Sequence, residues 1–373
     1  MQVSYWEQDS MTRAYCVVIG AGLVGLQTAL ALRKRLPAAR IVVFERGILP
    51  AGASTRNAGF ACFGSLTEIL ADIDTAGVVA TLDLIEQRWR GLALLRNTLG
   101  DQTIGYEGFG GHELIRFTEQ SALARLGEVN ELLLPLFGKL VFSVRPDGPA
   151  AAGFGPDVLA LVSNSMEGQL HSGKTMQALQ GLARRQNIDI ITGAQVERLE
   201  EDAEGVNLVL SGGARFWAER VAVCTNALIP ALLPSLPIVP GRGQVLVTEP
   251  LADLPFRGCF HIDRGYFYFR NVGNRVLLGG GRNLDPTTET TTDIALSAPI
   301  QQALEKLLAE TILPGRKFQI ASRWAGLMGF TQNKQPRVER TSERVVAGFG
   351  CNGMGVALSP LVAAQAARLL AER

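Results

Sequence analysis

Between residues 15 and 45 the chain reads Tyr15-Cys-Val-Val-Ile-Gly-Ala-Gly-Leu-Val-Gly, continues in helix-forming residues to Leu36, stops at Pro37 and resumes as Ile41-Val-Val-Phe-Glu45. A β-branched run, a glycine turn, a helix and a second buried strand make a βαβ unit, with Gly20, Gly22 and Gly25 in the spacing GxGxxG. Each glycine has a separate task. Gly20 permits the tight turn, Gly22 lets backbone approach a diphosphate, and Gly25 lets the helix lie close to the strand. The helix N-terminus adds a favourable dipole for an anion. Glu45 ends the second strand, where a carboxylate accepts hydrogen bonds from a ribose diol and repels a 2′-phosphate. The unit therefore points to an adenine dinucleotide, without choosing between a flavin and a nicotinamide.

Composition narrows the class. Lys and Arg number 36 against 35 Asp and Glu, a formal charge of +1 with no basic block. This gives no electrostatic reason to bind nucleic acid or an anionic membrane. An apolar fraction of 47% excludes a disordered chain. The five cysteines (Cys16, Cys62, Cys224, Cys259, Cys351) form no CxxC pair, and the three histidines (His112, His171, His261) have no ligand spacing, so no metal site is expected. The first ten residues hold Glu7 and Asp9 and no apolar core of a secretory signal. The longest apolar stretch, Cys16 to Leu32, is interrupted by three glycines and Gln27, unlike a membrane span. The expectation is a reduced, cytoplasmic enzyme; its oligomeric state is left open.

Along the chain, Leu66–Leu99 has helical periodicity, residues 103–150 are mixed, and His171–Arg184 followed by Ile188–Thr192 reads as helix and strand. Short strands are expected at Val206–Leu210 and Phe216–Cys224. Gln244–Thr248, Gly265–Arg270 and Arg275–Gly279 read as an antiparallel sheet, with Tyr266 and Tyr268 on one strand face. The tail reads as strand Arg344–Ala347, a glycine turn and helix Ser359–Arg373. Gly348, Gly350 and Gly353 again spell GxGxxG. Only one helix follows them, which leaves no room for a second nucleotide-binding βαβ unit.

After Glu45 comes Arg46-Gly-Ile-Leu-Pro-Ala-Gly-Ala-Ser-Thr-Arg-Asn-Ala-Gly-Phe rather than another helix and strand. This stretch resembles the FAD-binding loop of the D-amino acid oxidase/glycine oxidase/sarcosine oxidase superfamily. The resemblance extends through His171-Ser-Gly-Lys, Val223-Cys-Thr-Asn-Ala-Leu, Pro240-Gly-Arg-Gly-Gln, Arg275-Val-Leu-Leu-Gly-Gly-Gly-Arg, Trp324-Ala-Gly-Leu and Gly348-Phe-Gly-Cys-Asn-Gly-Met-Gly-Val. It implies an α/β (α+β) fold: an interleaved Rossmann-type FAD-binding domain from 13–100, 157–235 and 326–373, with an antiparallel-sheet substrate domain from 101–156 and 236–325. It also implies noncovalent FAD, since no cysteine stands near Gln319–Arg323 where relatives attach flavin. The implied cofactor contacts are Gly20, Gly22, Leu23, Val24 and Gly25 in the first turn, then Glu45 and Arg46. They continue with Ser54, Thr55, Arg56, Asn57, Ala58 and Gly59 in the loop, then Val196, Cys224, Thr225, Asn226 and Gly326. Gly350, Asn352, Gly353, Met354 and Gly355 complete them at the tail.

The implied reaction is oxidation of a primary or secondary amine or amino acid at its C–N bond, by hydride transfer to flavin N5 and hydrolysis of the imine. Glycine and D-amino acid oxidases carry a carboxylate-clamping Arg in W-A-G-L-R-P; here that position is Met328, a pattern closer to the γ-glutamylputrescine oxidase branch. Arg270, Arg242 and Arg264 are then the candidate carboxylate ligands, and Arg270, Tyr266, Tyr268 and Met328 the candidate substrate pocket. Two alternatives are an FAD-dependent 2-hydroxy acid dehydrogenase and a flavin-carrying subunit that needs partner chains.

Overall fold

The computed structural model describes residues 4–372. Its principal elements, in chain order, are β1 (Arg13–Ile19), α1 (Leu23–Arg35), β2 (Ile41–Glu45), α2 (Leu66–Ala76), α3 (Val78–Leu99), β3 (Gly111–Arg116), α4 (Leu126–Phe137), β4 (Phe142–Val144) and β5 (Val158–Asn164). There follow α5 (Ser172–Arg185), β6 (Asp189–Thr192), β7 (Val196–Glu201), β8 (Val206–Leu210), β9 (Arg215–Val223), β10 (Val239–Thr248), β11 (Cys259–Ile262), β12 (Phe267–Val272) and β13 (Arg275–Gly280). The last are α6 (Ala298–Leu307), β14 (Ile320–Phe330), β15 (Arg337–Arg340), β16 (Val345–Phe349) and α7 (Gly355–Ala371).

Two eight-stranded sheets organise the chain. The first runs β15-β16-β9-β1-β2-β6, with the β7–β8 ribbon joined to β9. Its central strands are parallel and their residues are buried in unbroken runs, as expected of a sheet covered on both faces. Helices α1 and α7 pack together on one face, and β1, α1, β2 form the expected crossover. The second sheet runs β14-β10-β13-β12-β11-β3-β5-β4. One of its faces buries Phe154, Phe256, Phe260 and Phe269 in an aromatic stack, with the Phe260 and Phe269 rings 4.6 Å apart.

Both sheets draw on distant parts of the sequence, as interleaving requires, but two boundaries move. Residues 158–164, expected in the nucleotide domain, form β5 and pair with β3 in the antiparallel sheet. The expected boundary at 326 cuts through β14, whose Ala325 and Gly326 lie opposite Gln244 and Gly243 without a break. The reason is cross-strand pairing, which local composition does not record. The hairpin β11–β12 also turns later than expected. Asp263, Arg264 and Gly265 all have positive φ, so the strand begins at Phe267 and Tyr266 stays in the turn. Helix α7 starts one turn earlier than Ser359-Pro360 suggested. Ser359 is fully buried and its hydroxyl accepts a hydrogen bond from Gln27 on α1 instead of capping.

The tightest part of the first crossover is backbone on backbone. A Cβ on Gly25 would collide with the Gly20 carbonyl oxygen, and one on Gly20 would lie 2.7 Å from the Cys224 carbonyl oxygen. Gly20 itself has φ 104°, and its N–H donates to the Phe44 carbonyl at 2.7 Å. We expect Gly25→Val to destabilise the fold by about 2 kcal/mol or more. Denaturant titration checks this; an unchanged midpoint contradicts the helix-on-strand contact.

Candidate active site

Most of the implied cofactor residues converge around the first turn of α1. Gly22 precedes the helix with no side-chain cap, and Leu23 N–H donates to Ser54 Oγ at 2.8 Å. A Cβ on Gly22 would meet that hydroxyl at 2.9 Å, so the loop lies against the turn. Val24 packs toward Gly348 and the α1 core. Glu45 is half-buried; its two oxygens accept from Ala21 N–H at 3.1 Å and Gly47 N–H at 3.0 Å. Those bonds fix the carboxylate beside the glycine turn and leave lone pairs for a diol. Arg46 is exposed. Val196 joins the core cluster beneath β2, so its side chain is spent on packing.

Residues 53–59 form a single helical turn and a bend that the rest of the chain grips. Thr55 Oγ1 donates to the Pro50 carbonyl. Asn57 Nδ2 donates to Ala53 and Ser54 carbonyls, while its Oδ1 accepts from Gly59 N–H and Ser172 Oγ, each at 2.8 Å. Arg56 Nη1 donates to the Ala325 carbonyl at 2.6 Å, and Trp324 Nε1 donates to the Arg56 carbonyl at 2.9 Å. Gly326 faces the Arg56 stem closely: a Cβ there would lie 3.0 Å from Arg56 Cβ, so Arg56 would have to give by a few tenths of an ångström. Arg56 therefore locks the nucleotide loop to β14 of the other sheet. Ala58 is buried against Val245 and Leu277.

At the other side of α1, Cys224 follows β9 beside Gly20, and Thr225 Oγ1 is buried without a partner among the described residues. Asn226 has φ 50°. Gly350 and Gly353 have φ 73° and 84° and Asn352 has φ 52°, a turn that brings Met354 and Gly355 to the uncapped N-terminus of α7. Asn352 Oδ1 accepts from Thr331 N–H at 2.8 Å and its Nδ2 donates to Thr331 Oγ1 at 3.0 Å. The tail is thereby stapled to the end of β14. Two packed helices, α1 and α7, thus begin at residues that supply no side-chain cap of their own, Gly22 and Met354, with Ser54 Oγ taking the Leu23 N–H of α1.

Facing this loop, one side of the second sheet is bare at three glycines, with Val245, Leu277, Tyr268 and His261 beside them. Gly241 and Gly243 on β10 and Gly279 on β13 lie on it. Phe330, Met328 and Tyr268 lie flat across them: a Cβ would reach the Phe330 ring from Gly241, Met328 Cε at 2.8 Å from Gly243, and the Tyr268 ring at 2.6 Å from Gly279. Met328 Sδ is also 3.5 Å from the Cβ position of Gly353, so this chamber adjoins the C-terminal turn. Burial pushes the Tyr268 hydroxyl up to about 12, opposed only by Arg282. Tyr268 is therefore neutral.

The three arginines separate. Arg242 is neutralised by a buried bidentate pair with Glu289 at 2.7 and 3.0 Å, so it is not a carboxylate ligand. Arg264 is exposed in the β11–β12 turn beside Asp263. Arg270 is 7% exposed, its Nε has no partner, and Nη2 lies 3.2 Å from the Cβ position of Gly59. A buried guanidinium without a carboxylate needs an anion, and this one points at the nucleotide loop. Tyr266 lies outside the β12 strand, beside Arg282, a cation that the sequence reading did not single out.

The family comparison agrees with this geometry: residues 16–369 match the family described as FAD dependent oxidoreductase, and the chain belongs to it. It is an FAD-dependent oxidoreductase. Similar solved structures include glycine oxidase from Geobacillus kaustophilus, 20% identical, with a TM-score of 0.78 over 96% of this chain and 95% of that one. L-proline dehydrogenase from P. horikoshii is 18% identical, with a TM-score of 0.74 over 96% and 93%. Iminodiacetate oxidase from Chelativorans sp. BNC1 is 16% identical, with a TM-score of 0.72 over 95% and 94%. No curated protein matches the chain in sequence. Among the described residues no helix is long and apolar enough to cross a membrane, and no group of three or more His, Cys, Asp or Glu residues could hold a metal ion.

Along the same face, where His261 stands opposite both Tyr268 and Glu113, lies a buried acidic cluster that sequence reasoning missed, because its members come from separate elements, Glu113 and Glu167 being 54 residues apart and His261 a further 94. Glu167 accepts from Phe63 N–H at 2.7 Å and Gly64 N–H at 3.2 Å, and Glu113 accepts from Ser65 Oγ and Thr67. With His261 and Asn164 they line a cavity of about 10 Å³, room for one water. Burial pushes Glu113 up to about 7 and Glu167 up to about 8, against those hydrogen bonds. Burial also pushes His261 down, so it is neutral. A carboxyl raised in the folded state contributes stability that is complete below its unfolded value of 4.5 and lost as pH rises through the folded one. His112 and His261, lowered from 6.5, act oppositely but only below that value. Stability is therefore expected to fall between about pH 6.5 and 8, and Glu167→Gln to flatten that slope. Chemical denaturation across this range checks it; a wild-type slope of opposite sign contradicts the assignment.

Proposed function

We propose that this chain oxidises the C–N bond of a small primary or secondary amine or amino acid. When bound, FAD supplies the two-electron acceptor for the hydride on the carbon that bears nitrogen, and the imine product then hydrolyses in water. The observation that carries this reading is the glycine-floored chamber of Tyr268, Met328 and Phe330, set against the C-terminal turn. Phe330, Met328 and Tyr268, the side chains that lie over Gly241, Gly243 and Gly279, carry no carboxylate, and His261 stands opposite Tyr268 on the neighbouring strand. An amine can enter neutral and lose its hydride without a base, whereas oxidation of a hydroxy acid must also remove an O–H proton. What favours an amine over the 2-hydroxy acid alternative is the set of similar structures, glycine oxidase and iminodiacetate oxidase among them.

The protein's own residues have three tasks in this reading. Gly22 and the first turn of α1 would present backbone N–H groups and the helix dipole to the diphosphate, Ser54 Oγ occupying the Leu23 N–H, and Glu45 would take the ribose. Asn352 holds the turn that aims the α7 N-terminus at the ring system, where partial positive charge favours electron uptake. Tyr268, Met328 and Phe330 orient the substrate and exclude water. FAD is held noncovalently: Cys62 and Cys351 are buried, and burial raises both thiols well above the usual range, Cys351 to about 12. Arg270 is assigned to the cofactor side, because its guanidinium abuts Gly59 rather than the open chamber. The interleaved nucleotide and substrate domains, with boundaries moved to 165 and about 331, belong to the same proposal.

Purified protein should be yellow, release its flavin on acid precipitation, and bleach anaerobically with amines but not with 2-hydroxy acids. Bleaching by hydroxy acids alone would favour the second reading. Gly22→Val should give colourless protein; full retention of flavin contradicts the diphosphate role. Arg270→Met should raise the melting temperature of the apoprotein, because an uncompensated buried cation is removed, and shrink the further gain on adding FAD. An unchanged FAD-induced gain would return Arg270 to the substrate side.

A further inference from the structure

The turn after β13 places a second unpaired cation in the chamber. Gly280 and Gly281 have φ 119° and 80°; a Cβ on Gly280 would collide with the Tyr266 carbonyl oxygen. Only glycine allows so tight a reversal, and it brings Arg282 back over the bare face of the sheet. The Arg282 guanidinium carbon lies 4.1 Å from the centre of the Phe330 ring and 5.7 Å from that of Tyr266. It is partly exposed and, among the described residues, has no carboxylate partner. The neighbouring acids are committed elsewhere: Glu289 to Arg242 and Gln244, Asp263 to Arg264 and Asn283, and Asp285 to the Thr288 N–H. A guanidinium stacked on an aromatic ring is held in place while its N–H edge stays free for an anion.

Its distance from the reacting end follows from strand geometry. Phe330 lies over Gly241, and Met328 lies over Gly243 beside Gly353. Two residues along a strand are about 7 Å. The Arg282 edge, over Phe330, is therefore about one such repeat along β14 from Met328.

We propose that Arg282 determines substrate specificity by binding a carboxylate at the outer end of the chamber, so that the substrate is an amine whose carboxylate stands roughly three to five bonds from the oxidised C–N carbon. This rests on the reading of the chamber as an amine site. Residue 328 offers only a thioether where an α-carboxylate would sit, and the charge has moved outward.

The test uses the FAD-loaded protein and two readouts. In the first, oxidised-flavin absorbance is titrated with acetate, butanoate and hexanoate. Butanoate or hexanoate should perturb the spectrum more tightly than acetate, with Kd raised at least tenfold in Arg282→Met and partly restored in Arg282→Lys. In the second, anaerobic bleaching is followed with ω-amino carboxylates from glycine to 6-aminohexanoate and with their methyl esters. The longer acids should be preferred, and Arg282→Met should abolish the preference for acid over ester. A wild-type spectrum unmoved by every carboxylate, or a Kd unchanged in Arg282→Met, overturns the proposal. If no amine bleaches either protein, the amine reading fails, and the carboxylate titration still decides what Arg282 binds.

Discussion

The contact of α1 with the strands beneath it is made between backbones, and the site depends on it. Side chains at Gly20 or Gly25 would lift the helix from β1 and β9. Its first turn would then no longer meet Ser54, and Glu45 would lose its place beside Ala21. The same helix carries α7, through Gln27 and Ser359, so the position of the C-terminal turn is inherited from the first crossover. A single close approach near the start of the chain therefore registers two helix N-termini that lie more than 300 residues apart in sequence.

The second sheet is registered to this frame by few, directional bonds. Arg56 donates to Ala325, Trp324 donates back to the Arg56 carbonyl, and Asn352 pairs with Thr331. All three fall on β14 or its end, the strand that carries Gly326, Met328 and Phe330. Hydrogen bonds fix position better than apolar contact, because their strength falls steeply with angle and distance. The chamber wall is thus held by the same strand that meets the nucleotide loop. Glycines on β10 and β13 then create space by omission, and three large side chains lie down into it.

How much of this was legible depends on the range of the cause. The first crossover was readable because its strand, turn, helix and acid lie within 31 residues, each with its own local signature. The FAD loop and the C-terminal turn were readable as motifs for the same reason. The boundaries at 157 and 326 were misplaced because β5 and β14 owe their sheet to partners far along the chain. Ser359-Pro360 imitated a helix start, since nothing local reveals that the hydroxyl is used by Gln27. Tyr266 and Tyr268 looked alternate until three left-handed residues moved the strand start past Tyr266.

The arginines carry this argument to the site itself. In sequence Arg242, Arg264, Arg270 and Arg282 are equivalent cations in a strand-rich stretch. In the fold their fates are set by what each meets: Glu289 for Arg242, solvent and Asp263 for Arg264, the nucleotide loop for Arg270, and two aromatic rings for Arg282. Desolvating a guanidinium is costly, and protein interiors rarely bear that cost without an anion. Arg242 has its anion within the chain and is structural. Arg270 is buried and makes no ion pair among the described residues, Glu107 acting on it only through its charge, which is why we propose an FAD anion for it at the loop it touches. Arg282 keeps part of its hydration and stacks on Phe330, which makes waiting inexpensive and leaves it suited to an anion that comes and goes. The proposed distinction between a resident and a transient ligand therefore rests on the burial of the two side chains: the buried cation is the one assigned to the cofactor, and the half-exposed one is assigned to the substrate.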